Sequence, residues 1–276
     1  MRAEETLRRI SEEKPLIHHL TNYVTVNLVA NTTLSVGALP VMAHAHEEVV
    51  EMVGFASALV VNIGTLDPSF VEAALIAGRR ANERGIPVVM DPVGAGATSF
   101  RTETAERLLS EIEIAAVCGN AGEIATLAGL SAEVRGVESL SGDAEVAACK
   151  AAGALGVTVA ATGETDYVSD GEHTLAVSNG HPLMGRVVGS GCASTALIGC
   201  FASVGGAGAE TVVEALAYFG RAGEVAAKGA EGGGTFEPRL LDTLAGLAEN
   251  PNGLDDALRV KEVSGADRTS GVPPRA

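Results

Sequence analysis

Ala58-Leu-Val-Val-Asn-Ile63, then Pro68 to Arg84, then Ile86-Pro-Val-Val-Met90 is the stretch on which the fold turns. The first run is short, continuously apolar and closed by Gly64, the pattern of a strand covered on both faces. Between the two apolar runs, Phe70, Val71, Ala74, Leu75 and Ala77 recur at helical spacing, Arg79 and Arg80 give a basic end, and Gly85 stops the helix. Strand, helix, strand in this order predicts a parallel pair with a crossover helix.

The same unit repeats outward. Ile114-Ala-Ala-Val117 reads as a strand, followed by Gly119-Asn120 and a helix that ends near Gly129. Gly156-Val-Thr-Val-Ala-Ala161 reads as another, ending at Thr162-Gly163. Tyr167-Val168, Asp170-Gly171 and His173 to Val177 predict a hairpin, because Asp-Gly supplies the positive φ angles of a tight turn. Helices are expected from the Gly189-Ser-Gly191 loop to about Val204, over Glu210 to Lys228, and from Pro238 to Glu249. From about Gly265 the chain is polar and Pro-rich, as in a frayed tail. The expected architecture is a three-layer α/β/α fold with a mostly parallel central sheet, one domain over residues 1–264 and a flexible tail over 265–276.

Composition supports a packed enzyme-like core. The chain has 276 residues, 46% hydrophobic and 20% charged, which excludes wholesale disorder. With 3% aromatic residues, no Trp and 34 Gly, small side chains must fill much of the interior. A net charge of −16 argues against nucleic acid as the main partner, yet leaves room for a small phosphate ligand held by a local positive field or a cation. The charged opening, MRAEETLRRISEEKP, lacks the apolar core of a secretory signal, and the run after Gly191 is too short and interrupted for a membrane span. Cys118, Cys149, Cys192 and Cys200 show no CxxC spacing. A soluble, cytoplasmic protein with no membrane partner is expected.

In open α/β sheets, ligands collect beyond the C-terminal ends of the strands. Asn62-Ile-Gly-Thr65, Asp91-Pro-Val-Gly-Ala-Gly96, Gly119-Asn-Ala-Gly-Glu123 and Thr162-Gly-Glu-Thr165 all fall there. Gly189-Ser-Gly-Cys192 opens a helix, so backbone N–H groups can converge at its positive end as an anion hole, with Cys192 facing the pocket. The plainer alternative is a Gly-rich loop before a packed helix. Asp91, held by Pro92 at a strand end, suits Mg²⁺, usually through water; otherwise it is a turn aspartate. Asn120-x-x-Glu123 has the spacing of a capping box, which outweighs metal binding for Glu123 alone. Taken with Asp91 on an adjacent strand, it points to a shared metal–phosphate role. His44-x-His46 lacks a third ligand and reads as a solvated turn; His18-His19 precedes a Thr- and Asn-rich segment that could line a pocket or cap a helix. Neither GxxxxGK[ST] nor GxGxxG occurs.

Together these segments resemble the hydroxyethylthiazole kinase family of the ribokinase-like superfamily. The resemblance rests on Pro15-Leu-Ile-His18 with Leu20-Thr-Asn22, Pro40-Val-Met-Ala43 with Glu47-Glu-Val49, Asn62 to Leu66, Asp91 to Ala97 with Phe100-Arg-Thr-Glu103, Gly119-Asn120 through Glu123-Ile124, Thr162-Gly-Glu164, Asn179-Gly-His181 and Gly189-x-Gly-Cys192, in that order over roughly Pro15 to Glu249. It implies phosphorylation by ATP of the hydroxyl of 4-methyl-5-(2-hydroxyethyl)thiazole, with Mg²⁺, in thiamine biosynthesis or salvage. It also implies a homotrimer with pockets between subunits. By position, Asn22, Met42, Gly64 and Gly189 would line the thiazole site, and Asp91 and Glu123 would meet magnesium and triphosphate. Thr162 and Gly191 would meet ATP, and Cys192 would stand where the catalytic base stands. The family often has an arginine at the ATP-binding position held here by Cys118. A thiol supplies neither its charge nor its donors, which leaves Mg²⁺ and another cation, such as Arg186 or Arg101, to take that part. The alternatives are a ribokinase-like kinase for another small alcohol (a pyrimidine or pyridoxal relative), a hydrolase with Cys192 as nucleophile, and a non-catalytic small-molecule sensor.

Overall fold

A computed structural model of the chain describes residues 1–130 and 140–263; the tail expected over 265–276 lies outside the described residues. In chain order the elements are α1 (Ala3–Glu13), β1 (Leu16–Leu20), α2 (Val26–Ser35), β2 (Leu39–Val41), α3 (Val49–Phe55), β3 (Ala58–Asn62), α4 (Pro68–Glu83), β4 (Val88–Asp91), α5 (Ser99–Glu111), β5 (Ala116–Asn120), α6 (Ala121–Leu127), α7 (Leu140–Leu155), β6 (Thr158–Thr162), β7 (Asp166–Ser169), β8 (Thr174–Val177), α8 (Ser190–Gly205), α9 (Ala209–Ala227), α10 (Gly233–Glu249) and β9 (Val260–Val263). Short 3₁₀ turns precede α8, at Pro182–Arg186, and β9, at Asp255–Ala257.

The described strands form one sheet in the order β2-β1-β3-β4-β5-β6-β7-β8-β9. Pairing is parallel from β2 through β6 and antiparallel from β6 through β9. Alternate residues of the central strands feed two cores. Val60, Val89, Ala116 and Ala160 pack with α1, α2, α8, α9 and α10, whereas Leu59, Val61, Val88, Val117 and Val159 pack with α3 to α7. The three-layer, mostly parallel expectation therefore holds. Helix starts carry the local chemistry that positions them: Asp67 accepts from Phe70 N ahead of Pro68 in α4, and Thr98 accepts from Arg101 N in α5.

Two differences from the sequence reading have clear causes. The strands expected to stop at Met90, Val117 and Ala161 run on to Asp91, Asn120 and Thr162, because these polar residues remain paired in the ladder after the apolar run has ended. The helix expected from Pro238 begins at Gly233 and carries Pro238 inside it, one hydrogen bond short near its first turns. The Gly-rich run before Pro238 reads as a loop in the sequence, which hides that start. Neither β9 nor the elements before Ala58 stood out in the hydropathy pattern.

Chain order and sheet order diverge between β1 and β3: the chain goes from β1 outward to β2, then returns to β3 on the other side of β1. Loops leaving β1 and β3 therefore part in opposite directions and open a crevice at their C-terminal ends. That crevice receives Thr21-Asn22 from one side and Ile63-Gly64 from the other.

Candidate active site

Parallel register places Asn62 directly beside Asp91 on the last rung of β3 and β4. The two side chains meet: Asn62 Nδ2 donates to Asp91 Oδ2 at 2.6 Å and to Cys192 Sγ at 3.2 Å. Asn22, just after β1, donates from Nδ2 to Asn62 Oδ1 at 2.8 Å and lies 3.5 Å from Cys192 Sγ. Thr195, three residues beyond Cys192 on α8, places its hydroxyl 3.3 Å from Asp91 Oδ2 and 3.1 Å from Gly191 O. Asn22, Asn62, Asp91 and Thr195 are all buried, while Cys192 is half-buried at the mouth of the cluster.

Glycine makes two of these approaches possible. A Cβ on Gly64 would sit 2.9 Å from Asn22 Cβ, so only glycine lets the asparagine lie across it. Gly189, the N-cap of α8, has φ +90°, and a Cβ there would come within 2.5 Å of Thr25 Cγ2. The left-handed turn at Gly189 starts α8 with the first-turn amides of Gly191 and Cys192 free of intrahelical acceptors. A Cβ on Gly191 would meet open space, so a ligand can reach that turn. Free amides at an accessible helix start are what the anion hole expected from the sequence requires.

Beside it lies a cavity of about 760 Å³, walled by Thr162, Asp166, Gly191, Ser194, Leu216 and Phe219 among others. Leu216 and Phe219 give this cavity apolar lining, and Gly191 and Ser194 at the start of α8 give it polar lining. Thr162 is tied by its hydroxyl to Gly119 O at 3.1 Å. Asp166, at the base of this loop, has its carboxyl pushed up to about 7 by burial, against the pull of the Gly163 N–H.

Glu123 does cap its helix. It forms the full capping box with Asn120, and its other oxygen accepts Gly94 N at 2.7 Å. One carboxylate thus staples the loop after β4 to the start of α6, beside Asp91. Burial first, and Glu123 second, push the Asp91 carboxyl up to about 8. Two neighbouring acidic groups, with only neutral donors on Asp91, form an oxygen donor set that a divalent cation would satisfy. Having two carboxylates rather than a full cage fits Mg²⁺, which keeps waters and takes phosphate oxygens. Among the described residues no group of three or more such ligands occurs.

The structure relocates several other expected residues. Cys118 lies in the core rather than on the cavity wall, because strand alternation turns it toward α8 beneath Ser194 and Thr195; burial, with Asp91, drives its thiol far up. Arg101 does not offer a cation to the cavity: its guanidinium binds the carbonyls of Ile63, Val93 and Gly64 at 2.8–2.9 Å and so ties the loops after β3 and β4 together. Arg186 is exposed at the end of the 3₁₀ turn before α8. Met42 follows β2, half-exposed, in a segment pinned by His18 Nε2 on Ala43 O at 2.8 Å. His18 and His19 are core residues; burial drives His19 down to about 3 and keeps it neutral. His44 and His46 diverge, one to Thr21 and the other to Ser69 O. Asn62 and Thr195 were not singled out by the sequence, although Asn62 ends an apolar strand two residues before Gly64 and Thr195 shares a helix face with Cys192.

The fold is shared with a ribokinase-like superfamily protein from Enterococcus faecalis V583, which superposes with TM-score 0.63 at 12% identity, covering 89% of this chain and 94% of that one. A hydroxyethylthiazole kinase structure from Pyrococcus horikoshii OT3 superposes with TM-score 0.87 at 44% identity, covering 95% and 99% of the two chains. The hydroxyethylthiazole kinase family model matches residues 7–250, and the hydroxyethylthiazole kinase of Rubrobacter xylanophilus is 70% identical over 261 residues, 94% of this chain and 98% of that relative. The chain belongs to the hydroxyethylthiazole kinase family.

Proposed function

We propose that the protein transfers the γ-phosphoryl group of ATP to the hydroxyl of 4-methyl-5-(2-hydroxyethyl)thiazole, giving the thiazole phosphate and ADP in thiamine biosynthesis or salvage. One observation carries this reading: the N-terminus of α8 joins two sites. Gly191 borders the large cavity, and the next residue, Cys192, touches the Asn22–Asn62–Asp91 cluster at the β1/β3 crevice. Nucleotide enters from the cavity side, with Thr162 and Gly191 at its wall. Thiazole enters from the crevice side, with Asn22, Gly64 and Gly189 around it and Met42 as an adaptable apolar wall.

The substrate oxygen forms its bond to the γ-phosphorus while the bond from that phosphorus to the β,γ-bridging oxygen breaks. The amides at the start of α8 stabilise the charge on the moving phosphoryl group. Cys192 Sγ orients the substrate hydroxyl and takes its proton when the sulfur is a thiolate. Burial, and then Asp91, hold this thiol above its usual range, so the thiolate fraction at pH 7 is small and base assistance is weak. Asp91, with Glu123 through water, would hold Mg²⁺, which supplies charge neutralisation of the phosphates when bound.

Purified protein with Mg-ATP and hydroxyethylthiazole is expected to yield the thiazole phosphate, detected by mass. No product at saturating substrates, with related alcohols phosphorylated instead, would move the assignment to another ribokinase-like substrate.

The reading extends to a homotrimer. Tyr23, Val24 and Val188 are 69%, 69% and 75% exposed, and they flank Asn22 and Gly189 at the rim of the crevice, where a second copy would complete the pocket. Sedimentation at three chain masses is the expected result, and a monomer would remove the shared pocket. Among the described residues no helix is long and apolar enough to cross a membrane. A cytoplasmic location follows from the supply of ATP.

A further inference from the structure

Two backbone N–H groups fix which way the buried amides of the cluster face. Gly64 N donates to Asn62 Oδ1 at 3.0 Å, and Thr25 N donates to Asn22 Oδ1 at 3.0 Å. Since a backbone N–H can only donate, both amide oxygens are assigned, and both NH₂ groups must face the other way. For Asn62 that direction holds Asp91 Oδ2 at 2.6 Å and Cys192 Sγ at 3.2 Å, one acceptor for each hydrogen. Asn62 is 2% exposed, so no water competes for either hydrogen.

We propose that Asn62 is a positioning residue for phosphoryl transfer: its single amide nitrogen donates to both the Asp91 carboxyl and the Cys192 sulfur and so holds the sulfur in place against that carboxyl. The proposal rests on the reading of Cys192 and Asp91 given above and adds the part that couples them. The helix carrying Cys192 and the strand carrying Asp91 are far apart in the chain. Among the described contacts, Asn62 donates to both; Thr195 approaches only the carboxyl from α8, and the Cys192 thiol also bonds that carboxyl directly. A carboxylate beside a sulfur would otherwise repel any thiolate that formed. The amide donates to each, and by engaging the sulfur at 3.2 Å it fixes where Sγ sits at the mouth of the cluster.

Asn62→Asp probes this from one side: it retains the acceptor for Gly64 N and Asn22 Nδ2 and replaces the amide hydrogens with a carboxyl that shares a proton with Asp91. Asn62→Ser serves as a second variant that adds no charge and is too short to span the two groups. For either, kcat is expected to fall about 10–100-fold, the scale for a misplaced reacting group. KM for thiazole and the calorimetric Kd for Mg-ATP should change less than kcat in Asn62→Ser, whose hydroxyl still offers an acceptor to Gly64 N and Asn22 Nδ2. Repeated in a Cys192→Ala background, the same substitution is expected to cost much less, because the sulfur it positions is gone. Full turnover in a folded Asn62→Ser protein would overturn the proposal. So would a rise in KM at constant kcat, or an equal loss in both backgrounds. A Cys192→Ala protein with unchanged turnover would instead overturn the reading of the sulfur itself, so the two failures are distinguishable.

Discussion

Asp91→Asn is expected to lower turnover by about 10³-fold, at the upper end for removing one preorganised electrostatic group, while flattening the dependence of stability on pH. Both effects have one origin. The amide keeps the shape of the carboxyl, so Asn62 Nδ2 and Thr195 Oγ1 retain an oxygen acceptor where they now meet Asp91 Oδ2. What is lost is the charge that would hold a divalent cation against the triphosphate. The stability arm follows from the sign of the shift. In the folded protein the Asp91 carboxyl is raised to about 8 from its ordinary 3.8, mainly by burial. A group raised on folding stabilises fully below its unfolded pKa, and that contribution is lost as pH rises through the folded value. Without metal, the wild type should therefore lose stability between about pH 4 and pH 8, at up to roughly 1.4 kcal/mol per pH unit for this one proton. The variant should lack that part of the slope. Denaturant unfolding of both proteins in chelator across this range measures it, and steady-state turnover with saturating Mg-ATP and thiazole measures the first effect. A variant within tenfold of wild-type turnover would remove Asp91 from the metal–phosphate role. Parallel pH–stability curves would show that its carboxyl is already ionised in the fold.

Cys192→Ala should slow turnover about 10²-fold, the low end for general-base assistance, and leave measurable activity. The sulfur is a weak base here: burial and Asp91 both raise its thiol, while the Asn22 and Asn62 amides only partly offset them. Phosphoryl transfer through a loose transition state depends more on the anion hole and on alignment, and the alanine variant keeps both. Cys192→Asp should retain or raise turnover. A carboxylate starts near pKa 4 rather than about 8.5, so even after burial it accepts a proton more readily than a buried thiol near neutral pH. The amides that now reach the sulfur can donate to its oxygen. Its hazard is repulsion from Asp91 and the γ-phosphate, which would appear as a weaker Kd for nucleotide. Turnover of the three proteins, with both substrate affinities measured separately, decides the matter. A Cys192→Ala protein that binds both substrates and is completely inactive would make the cysteine an obligatory covalent nucleophile and bring back the hydrolase reading.

How much of this was legible in the chain depends on the distance over which each property is set. Asp91, Glu123, Thr162 and Gly189-Ser-Gly-Cys192 could be placed at strand ends and a helix start from local apolar runs and turn residues alone. Glu123 turned out to do what its spacing said and more: the capping box is local, but its second bond, to Gly94 N, depends on two adjacent loops meeting. Asn62 could not be recognised, because its importance lies in a register, Asn62 beside Asp91, that a single strand does not encode. Cys118 shows the reverse. The apolar run stops at Val117, just short of it, and its depth depends on α8 lying across the sheet, with Ser194 and Thr195 closing over the thiol. Arg101 looked like a spare cation only because carbonyl acceptors leave no mark in sequence.

The hydrogen bonds that close the cluster span 130 residues from Asn62 to Cys192, 170 from Asn22 to Cys192 and 104 from Asp91 to Thr195. During synthesis at about 5–20 residues per second, Asn62 therefore waits roughly 6–26 seconds for its sulfur partner to leave the ribosome. Throughout that wait the sheet face that α8 will cover, with Ile17 and Val60 on it, has no lid. Pairings this distant in sequence also make the last step of folding slow. The nascent chain should thus be most dependent on chaperones just before α8 emerges, and destabilising changes in α8 should reduce yield in cells more than they reduce the stability of protein already folded.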